Sequence, residues 1–437
     1  LVQLNVDLLD EVRDRVSEVT GSEEIAHRVV SYLRNTTETT VTVDEDGTTF
    51  VITGDIPAMW LRDSAAQLRP LLYLAQGRPE IQQLIGGLLR RHWQYIALDP
   101  YANAFNRTAD GKHWDDDDTD VVSDWIWERK FELDSLSYGL DLAHALWRAT
   151  EYTGFVDENF RVAAQNILTV IEREQDHEER SQYYFRRAGV PAQDTLSRDG
   201  RGSLVVPTGM VWSGFRPSDD ACELGYNVPG NFYLARALDA LVQIATEVLK
   251  DEELAAQARV KSREIRGGLA AHAMVDGPGG ETILAYEVDG QGAHVVMDDA
   301  NVPSLLSLPY LGCIDIEDPV YSATRRVVLS SHNPYYYQGE QLQGVGSPHT
   351  PPDHVWPIAL AIQGLTSTDA EEQRRLLDLM MATDGGTGMM HEGVHVNEPA
   401  TFTREWFSWS NMMFTELALV HAGFRIPGVS PAYQPHA

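Results

Sequence analysis

The sequence predicts an all-α chain folded as one domain over residues 1–437, with paired helices ringing an axis and loops at one end forming a pocket. Three observations predict it. Apolar residues recur at spacings of three and four through about a dozen segments. Period-two alternation is confined to a few short pieces. No Pro/Ser-rich linker, low-complexity tract or sharp repeat divides the chain. An α/α toroid with minor β-hairpin elements fits this pattern, although the pattern alone does not separate it from another helical array.

Residues 6–19 and 22–34 read as two helices, the second opened by Ser22 as N-cap with Glu24 in its first turn. From Thr39 to Thr53 the chain alternates on either side of Asp46-Gly47, which predicts a hairpin. The segment Gly54-Asp-Ile-Pro-Ala-Met-Trp-Leu-Arg-Asp-Ser64 then leads into a helix kinked at Pro70. Residues 79–97 form another helix. Residues 130–150 place Leu133, Leu136, Leu140, Ala143 and Trp147 on one face, and residues 230–249 do so with Leu234, Leu238, Leu241, Ala245 and Val248 behind Pro229. Helices at 156–173, 251–272, 353–364 and 368–383 follow, and the last, 405–422, carries Trp406, Trp409, Met413, Leu417 and Val420 as a stripe. Strand-like pieces lie near 282–287 and 293–297.

Bulk properties exclude several function classes. A net charge of -31 repels phosphate backbones, so no nucleic-acid partner is expected, while a neutral glycan is indifferent to it. Lysine occurs only at Lys112, Lys130, Lys250 and Lys261, a balance that suits a high-salt setting or reflects biased composition in an ordinary acidic protein. Cys222 and Cys313 lie far apart with no C-x-x-C pattern, which argues against a disulfide scaffold or zinc ribbon. No apolar run approaches the ~20 residues of a membrane span, so no membrane partner is expected. The first residues, Leu-Val-Gln-Leu-Asn-Val, lack a basic stretch followed by an apolar one. The expectation is a cytoplasmic protein, with a removed leader left open because the chain does not begin with Met.

Carboxylates and aromatics gather in the non-helical segments. Trp60, Arg62 and Asp63 offer a flat apolar face beside directed hydrogen bonds, a mixture that suits a sugar ring. The run Trp114-Asp-Asp-Asp-Asp-Thr-Asp120 lacks the glycine and terminal Glu of an EF-hand and reads as a solvated acidic loop rather than a calcium site. Glu128, Glu132 and Asp134 read as carboxylates favouring a helix start. In Trp212-Ser-Gly-Phe-Arg-Pro-Ser-Asp-Asp220, Asp220 with Glu223 mimics a capping box, which leaves Asp219 free; caps or an ion pair with Arg216 are the plainer alternative. Asp298, Asp299 and Asn301 either grip hydroxyls or form an Asx-type turn before Pro303. His349 and Trp356 mark a Gly/Pro loop, and Glu392 sits on a loop after the helix-ending Gly385-Gly386 as a candidate base. No G-x-S-x-G, H-E-x-x-H, P-loop or dinucleotide fingerprint occurs. Paired carboxylates are what glycoside hydrolysis requires.

Taken together, these motifs resemble glycoside hydrolase family 125, the metal-independent exo-α-1,6-mannosidases. The matching pieces include Gly54 to Ser64, Asp99-Pro-Tyr-Ala-Asn-Ala-Phe-Asn106, Trp127-Glu-Arg-Lys130, Ser213 to Cys222, Met297 to Leu306, Gly346-Ser-Pro-His-Thr350, Met390-His-Glu-Gly393 and Phe402-Thr-Arg-Glu-Trp-Phe407, in order along nearly the whole chain. The resemblance implies an (α/α)6 barrel and an inverting mechanism without metal or cofactor. Its acid falls on Asp219, its base on Glu392 and its sugar-binding pair on Arg62 and Asp63. For the acid role, the Asp219 pKa should be raised by burial or by Asp220. Asp298, Asp299, Asn301 and His349 become candidates for holding hydroxyls, and Trp60 or Trp356 for stacking on a mannose of an oligosaccharide or N-glycan. Alternatives are a related glycosidase of other linkage or sugar, a sugar epimerase of similar fold, a calcium-dependent mannosidase, and a glycan-binding protein without catalysis.

Overall fold

The computed structural model describes residues 2–429, so Leu1 of the N-terminal reading lies outside the described residues. Its helices divide by burial. Leu61–Leu68, Leu133–Thr150, Val228–Gln243, Pro357–Leu365 and Ser408–His421 are buried on nearly every side. Glu23–Asn35, Pro79–Leu98, Glu158–Glu174, Glu252–His272, Pro319–Val328 and Ala370–Ala382 bury one face and leave the other to solvent. A helix buried all round needs neighbours all round, so the first group is the inner layer and the second the outer. Along the chain each outer helix precedes an inner one. After Glu252–His272 the inner place is taken by an irregular, fully buried segment, residues 304–311.

Inner neighbours pack in chain order, from Leu61–Leu68 to Leu133–Thr150 to Val228–Gln243, and Ser408–His421 packs back onto Leu61–Leu68. The first and last inner helices are also joined through their leading strands. Gly54 bridges Phe407, and the Ser408 amide donates to the Thr53 carbonyl at 3.0 Å. Gly54 has φ 126°, and a Cβ there would stand 2.7 Å from the Trp406 carbonyl oxygen, so only glycine fits.

Local signals explain most element boundaries. The Ser22 side chain accepts from the Ile25 amide, and Val41–Val43 pairs with Thr49–Val51 around Gly47 at φ 75°. Pro70 turns the helix after Leu68 into a 3-10 turn, Arg69–Leu74. The periodic stretch to residue 249 ends as α-helix at Gln243 and continues as a π turn, Ile244–Leu249. The helix expected from 353 begins at Pro357, because His354–Val355 pairs as a strand with Val394–His395. Pro319–Val328 escaped the periodicity reading, although Asp318 caps it and Pro319 opens it. The capping box at Asp220 and Glu223 does not form. The next helix starts at Val228, capped by Asn227, and the Glu223 amide donates to Glu287 instead.

Glu416, fully buried on the last inner helix, accepts from Arg69 Nε at 3.1 Å, Tyr73 at 2.9 Å and Tyr310 at 2.6 Å. One carboxylate thus ties three inner segments together. Glu416→Ala is expected to cost about 3–5 kcal/mol of stability, the scale for breaking a buried pair. Urea unfolding measures it, and a loss under about 1 kcal/mol would mean the brace is dispensable.

Candidate active site

The inner helices begin at one end of the fold. Trp60, Glu132, Trp356 and Phe407 stand immediately before four of them, and none supplies a side-chain cap to its own helix. The partial positive charge of those helix starts is therefore directed to this end, where acidic groups collect. A cavity of about 570 Å³ opens here. It brings together Trp60, Arg62, Asp63, Asp219, Asn301, His349, Trp356 and Glu392 from across the sequence.

Asp298 and Asp299 do not line it. Asp298 is fully buried and accepts from the Leu305 and Leu306 amides, both at 2.9 Å; burial pushes it up to about 7 against the pull of those amides. Asp299 Oδ1 accepts from the Asn301 amide at 3.1 Å and from its Nδ2 at 3.0 Å. These two are corrected from sugar ligands to braces of the turn that presents Asn301.

Arg62 is the centre of one wall. Its Nη1 donates to Glu132 at 2.7 Å and Asp134 at 3.2 Å, its Nη2 to Asp219 at 3.0 Å, and its Nε lies 3.2 Å from Asp63. Burial raises Glu132 well above the usual carboxylate range and Asp134 to about 6, only partly opposed by Arg62. Asp219 goes the other way. Burial favours its neutral form, but Arg62, the hydrogen bond with Glu132, Lys130 and His349 together hold it well below the usual range. The expected upward shift is therefore absent. Asp220 is not its neighbouring anion either, because Asp220 Oδ1 pairs with His349 Nδ1 at 2.8 Å. Arg216, offered as a partner of these aspartates, pairs instead with Glu287 at 2.5 and 3.0 Å.

Asp219 sits in the tip of a narrow loop, with Phe215 bridging Ala221 and the Asp219 amide bonded to the Arg216 carbonyl at 2.9 Å. Its φ is 67°, a left-handed conformation that Asp tolerates better than most residues. Lys130 Nζ holds its carbonyl at 2.8 Å. On the other wall, the Glu392 amide donates to the Thr403 carbonyl at 3.2 Å. Among the described residues the Glu392 carboxylate accepts no protein hydrogen bond, and its ion-pair partner is Arg404 at 4.0 Å. Arg404, at φ 53°, grips Asp55 with Nε 3.1 Å from each carboxylate oxygen.

Among the described residues, several lining groups have no protein partner though buried: the indole N–H of Trp60, Trp127 and Trp409, the Ser218 hydroxyl and Asp220 Oδ2. Glu132, Asp134, Asn103, Lys130 and Arg404 were not singled out as site residues. Asn103, Lys130 and Arg404 stand inside the quoted motifs, which were the available signal. The acidic loop is more than solvated: Asp117 pairs with Arg187 at 2.7 Å, Asp118 with Arg186 at 2.6 Å, and Asp120 with Arg129. Among the described residues, no three His, Cys, Asp or Glu side chains are grouped to hold a metal ion.

Residues 22–419 match the family described as metal-independent alpha-mannosidase (GH125). A Streptococcus pneumoniae metal-independent α-mannosidase, solved as a non-productive complex with α-1,6-mannobiose, is 46% identical and superposes with a TM-score of 0.94 over 96% of this chain and 99% of that one. The meiotically up-regulated gene 157 protein of Schizosaccharomyces pombe (strain 972) is 38% identical over 94% of this chain and 85% of its own length. A bacterial glucoamylase solved with acarbose, 12% identical, shares the fold alone, with a TM-score of 0.60 over 94% of this chain and 57% of that one.

The His349 imidazole loses some basicity to burial, but the hydrogen bond and charge of Asp220, with Glu392 and Asp219 nearby, hold its pKa up to about 9. A raised pKa stabilises the fold fully below about 6.5, the unfolded value, and the gain is lost as pH rises through about 9. The excess melting temperature of the wild type over His349→Gln is expected to fade across that window. A difference independent of pH would mean the imidazole is neutral throughout.

Proposed function

The chain belongs to the metal-independent alpha-mannosidase family, GH125, and is a glycoside hydrolase; on that premise we propose that it removes terminal α-1,6-linked mannose from a glycan with inversion. What carries this reading is a pair of unlike carboxyls on one cavity: Asp219 enclosed by donors, and Glu392 with its oxygens open to a water. The mannobiose held by the pneumococcal relative supports the linkage.

Asp219 delivers a proton to O6 of the departing sugar as the C1–O6 bond breaks. Glu392 takes a proton from the water whose oxygen bonds to C1 from the opposite face. Direct attack by water inverts the centre, and a gap of about 6.5–9.5 Å between the carboxyls would admit that water. Arg62, Asp63, Asn301 and His349 hold hydroxyls of the mannose, and Trp60 or Trp356 covers its apolar face. The unpartnered indole, hydroxyl and carboxylate atoms on the wall are groups that sugar hydroxyls satisfy. The leaving glycan runs along the acid's side, past Trp127 and toward Trp114, which is 56% exposed and tilted against Trp127 at 6.1 Å.

Asp219→Asn and Glu392→Gln should each lower kcat on α-1,6-mannobiose by about 100-fold or more with melting temperature little changed. Near-wild-type turnover in either variant removes that residue from the mechanism. NMR of fresh product should show β-mannose first; α-mannose first would mean retention. A linkage panel of mannobioses, with and without EDTA, should show a preference for the 1,6 bond and indifference to the chelator. Trp114→Ala should raise KM for longer mannosides by about two- to tenfold, the range of one aromatic contact, while leaving that for α-mannosyl fluoride alone. An equal rise for both would assign Trp114 to the fold of its loop.

A further inference from the structure

If Asp219 is the acid, it must carry a proton at the moment of reaction, yet its surroundings favour the anion. Arg62 Nη2 donates to it at 3.0 Å, and Lys130 and His349 add positive charge nearby. A carboxyl so placed holds a proton poorly by itself. Its neighbour offers the remedy. Glu132 is buried at the start of Leu133–Thr150, and Asn103 Nδ2 lies 3.4 Å from both Glu132 Oε1 and Asp219 Oδ1. Arg62 and Asn103 thus hold the two carboxyls side by side, Arg62 through its two terminal nitrogens and Asn103 through one amide nitrogen. Two carboxylates held together have no donor between them, whereas one proton on the pair supplies a donor and relieves their repulsion.

Charge counting leads to the same place. Asp63, Glu132, Asp134 and Asp219 all lie within 3.2 Å of one guanidinium. Ionising all four leaves a large uncompensated negative charge out of water, which burial makes costly. The other nearby cations are already engaged, Lys130 by Asp194 at 2.5 Å and His349 by Asp220 at 2.8 Å.

We propose that Glu132 and Asp219 hold one proton jointly, and that Glu132 is the positioning residue that keeps this proton available to Asp219 in each turnover. The inference rests on the reading of Asp219 as the acid. As the C1–O6 bond breaks, its electron pair on O6 takes the proton from Asp219, and Asp219 draws on the one shared with Glu132. Water forms the new C1–O bond and its proton passes to Glu392. Glu392 then releases a proton to solvent and the pair takes one up, so none is consumed overall. The charged groups facing the pair are Arg62 and Asp63 from the first inner helix, Asp134 from Glu132's own helix, and Lys130 and His349 from the loops, with Glu128 reached through Asn103. The upward push of burial on Glu132 agrees with its holding the proton at rest.

The test compares two substrates. α-1,6-Mannobiose needs a proton on its leaving oxygen; α-mannosyl fluoride departs without one. For Glu132→Gln, kcat/KM on mannobiose should fall by about 100-fold or more, and the loss on the fluoride should be at least about tenfold smaller. The alkaline limb of the mannobiose pH profile should move to lower pH, because Asp219 without its partner anion gives up its proton earlier. Glu132→Asp, which keeps a carboxyl, should recover part of both. Equal losses on the two substrates, or an unmoved alkaline limb, would overturn the proposal and leave Glu132 as a wall of the pocket. If Glu132→Gln does not fold by circular dichroism, Glu132→Asp decides on the same two readouts. A wild type inactive on mannobiose would instead overturn the assigned activity, a separate outcome.

Discussion

The Arg62 guanidinium is the contact on which both fold and chemistry hang. It stands on the first inner helix and reaches Glu132 and Asp134 of the second and Asp219 of the loop that leads to the third. Without a fixed cation, those acids would repel one another across a space closed to water. With it, they form a rigid wall whose members have very different affinities for a proton. The planar fork matters as much as the charge. Two terminal nitrogens address three carboxyls in fixed directions, which a lysine ammonium would not do.

The architecture supplies this wall with a favourable field. Helix starts before Leu61, Leu133, Pro357 and Ser408 all open toward the same end, so their partial positive charge faces the loops that carry the acids. Small β ribbons then fix those loops. Met59–Trp60 pairs with Ala104–Phe105, which pairs with Ile126–Glu128, and the other wall rests on the pairing of His354–Val355 with Val394–His395. Each wall also contains one residue in a left-handed conformation, Asp219 on the first and Arg404 on the second. Such conformations persist only where surrounding bonds over-determine them, and the bonds from Lys130 to Asp219 and from Arg404 to Asp55 do so.

Helices were legible because an inner or outer face leaves a period in the chain. Arg62 and Asp63 were legible because Arg and Asp beside Trp have little use in a plain core. Asp219 and Glu392 were legible through family motifs rather than local chemistry. What failed depended on tertiary context. Glu132 and Asp134 had an adequate local explanation as helix-start carboxylates, which hid their contact with Arg62. The Asp220–Glu223 spacing satisfied a capping rule where no helix follows. Asp298 and Asp299 have the composition of sugar ligands, but only the fold reveals that amides of residues 305 and 306 hold Asp298, that Asn301 holds Asp299 Oδ1, and that neither lines the cavity.

The stitch between Gly54 and Phe407 has a consequence for how the protein comes into being. Residues 53–63 and 392–409 lie far apart in the sequence, yet both contribute to the lining of one cavity. As the chain leaves the ribosome, the helix Leu61–Leu68 is synthesised long before Ser408–His421, against which it is buried. The early part must wait with an apolar surface open, and the cavity gains its second wall only once residues 392–409 have emerged. Any product that stops before Ser408–His421 is therefore missing Trp409 from the cavity lining, along with the surface that shelters the first inner helix.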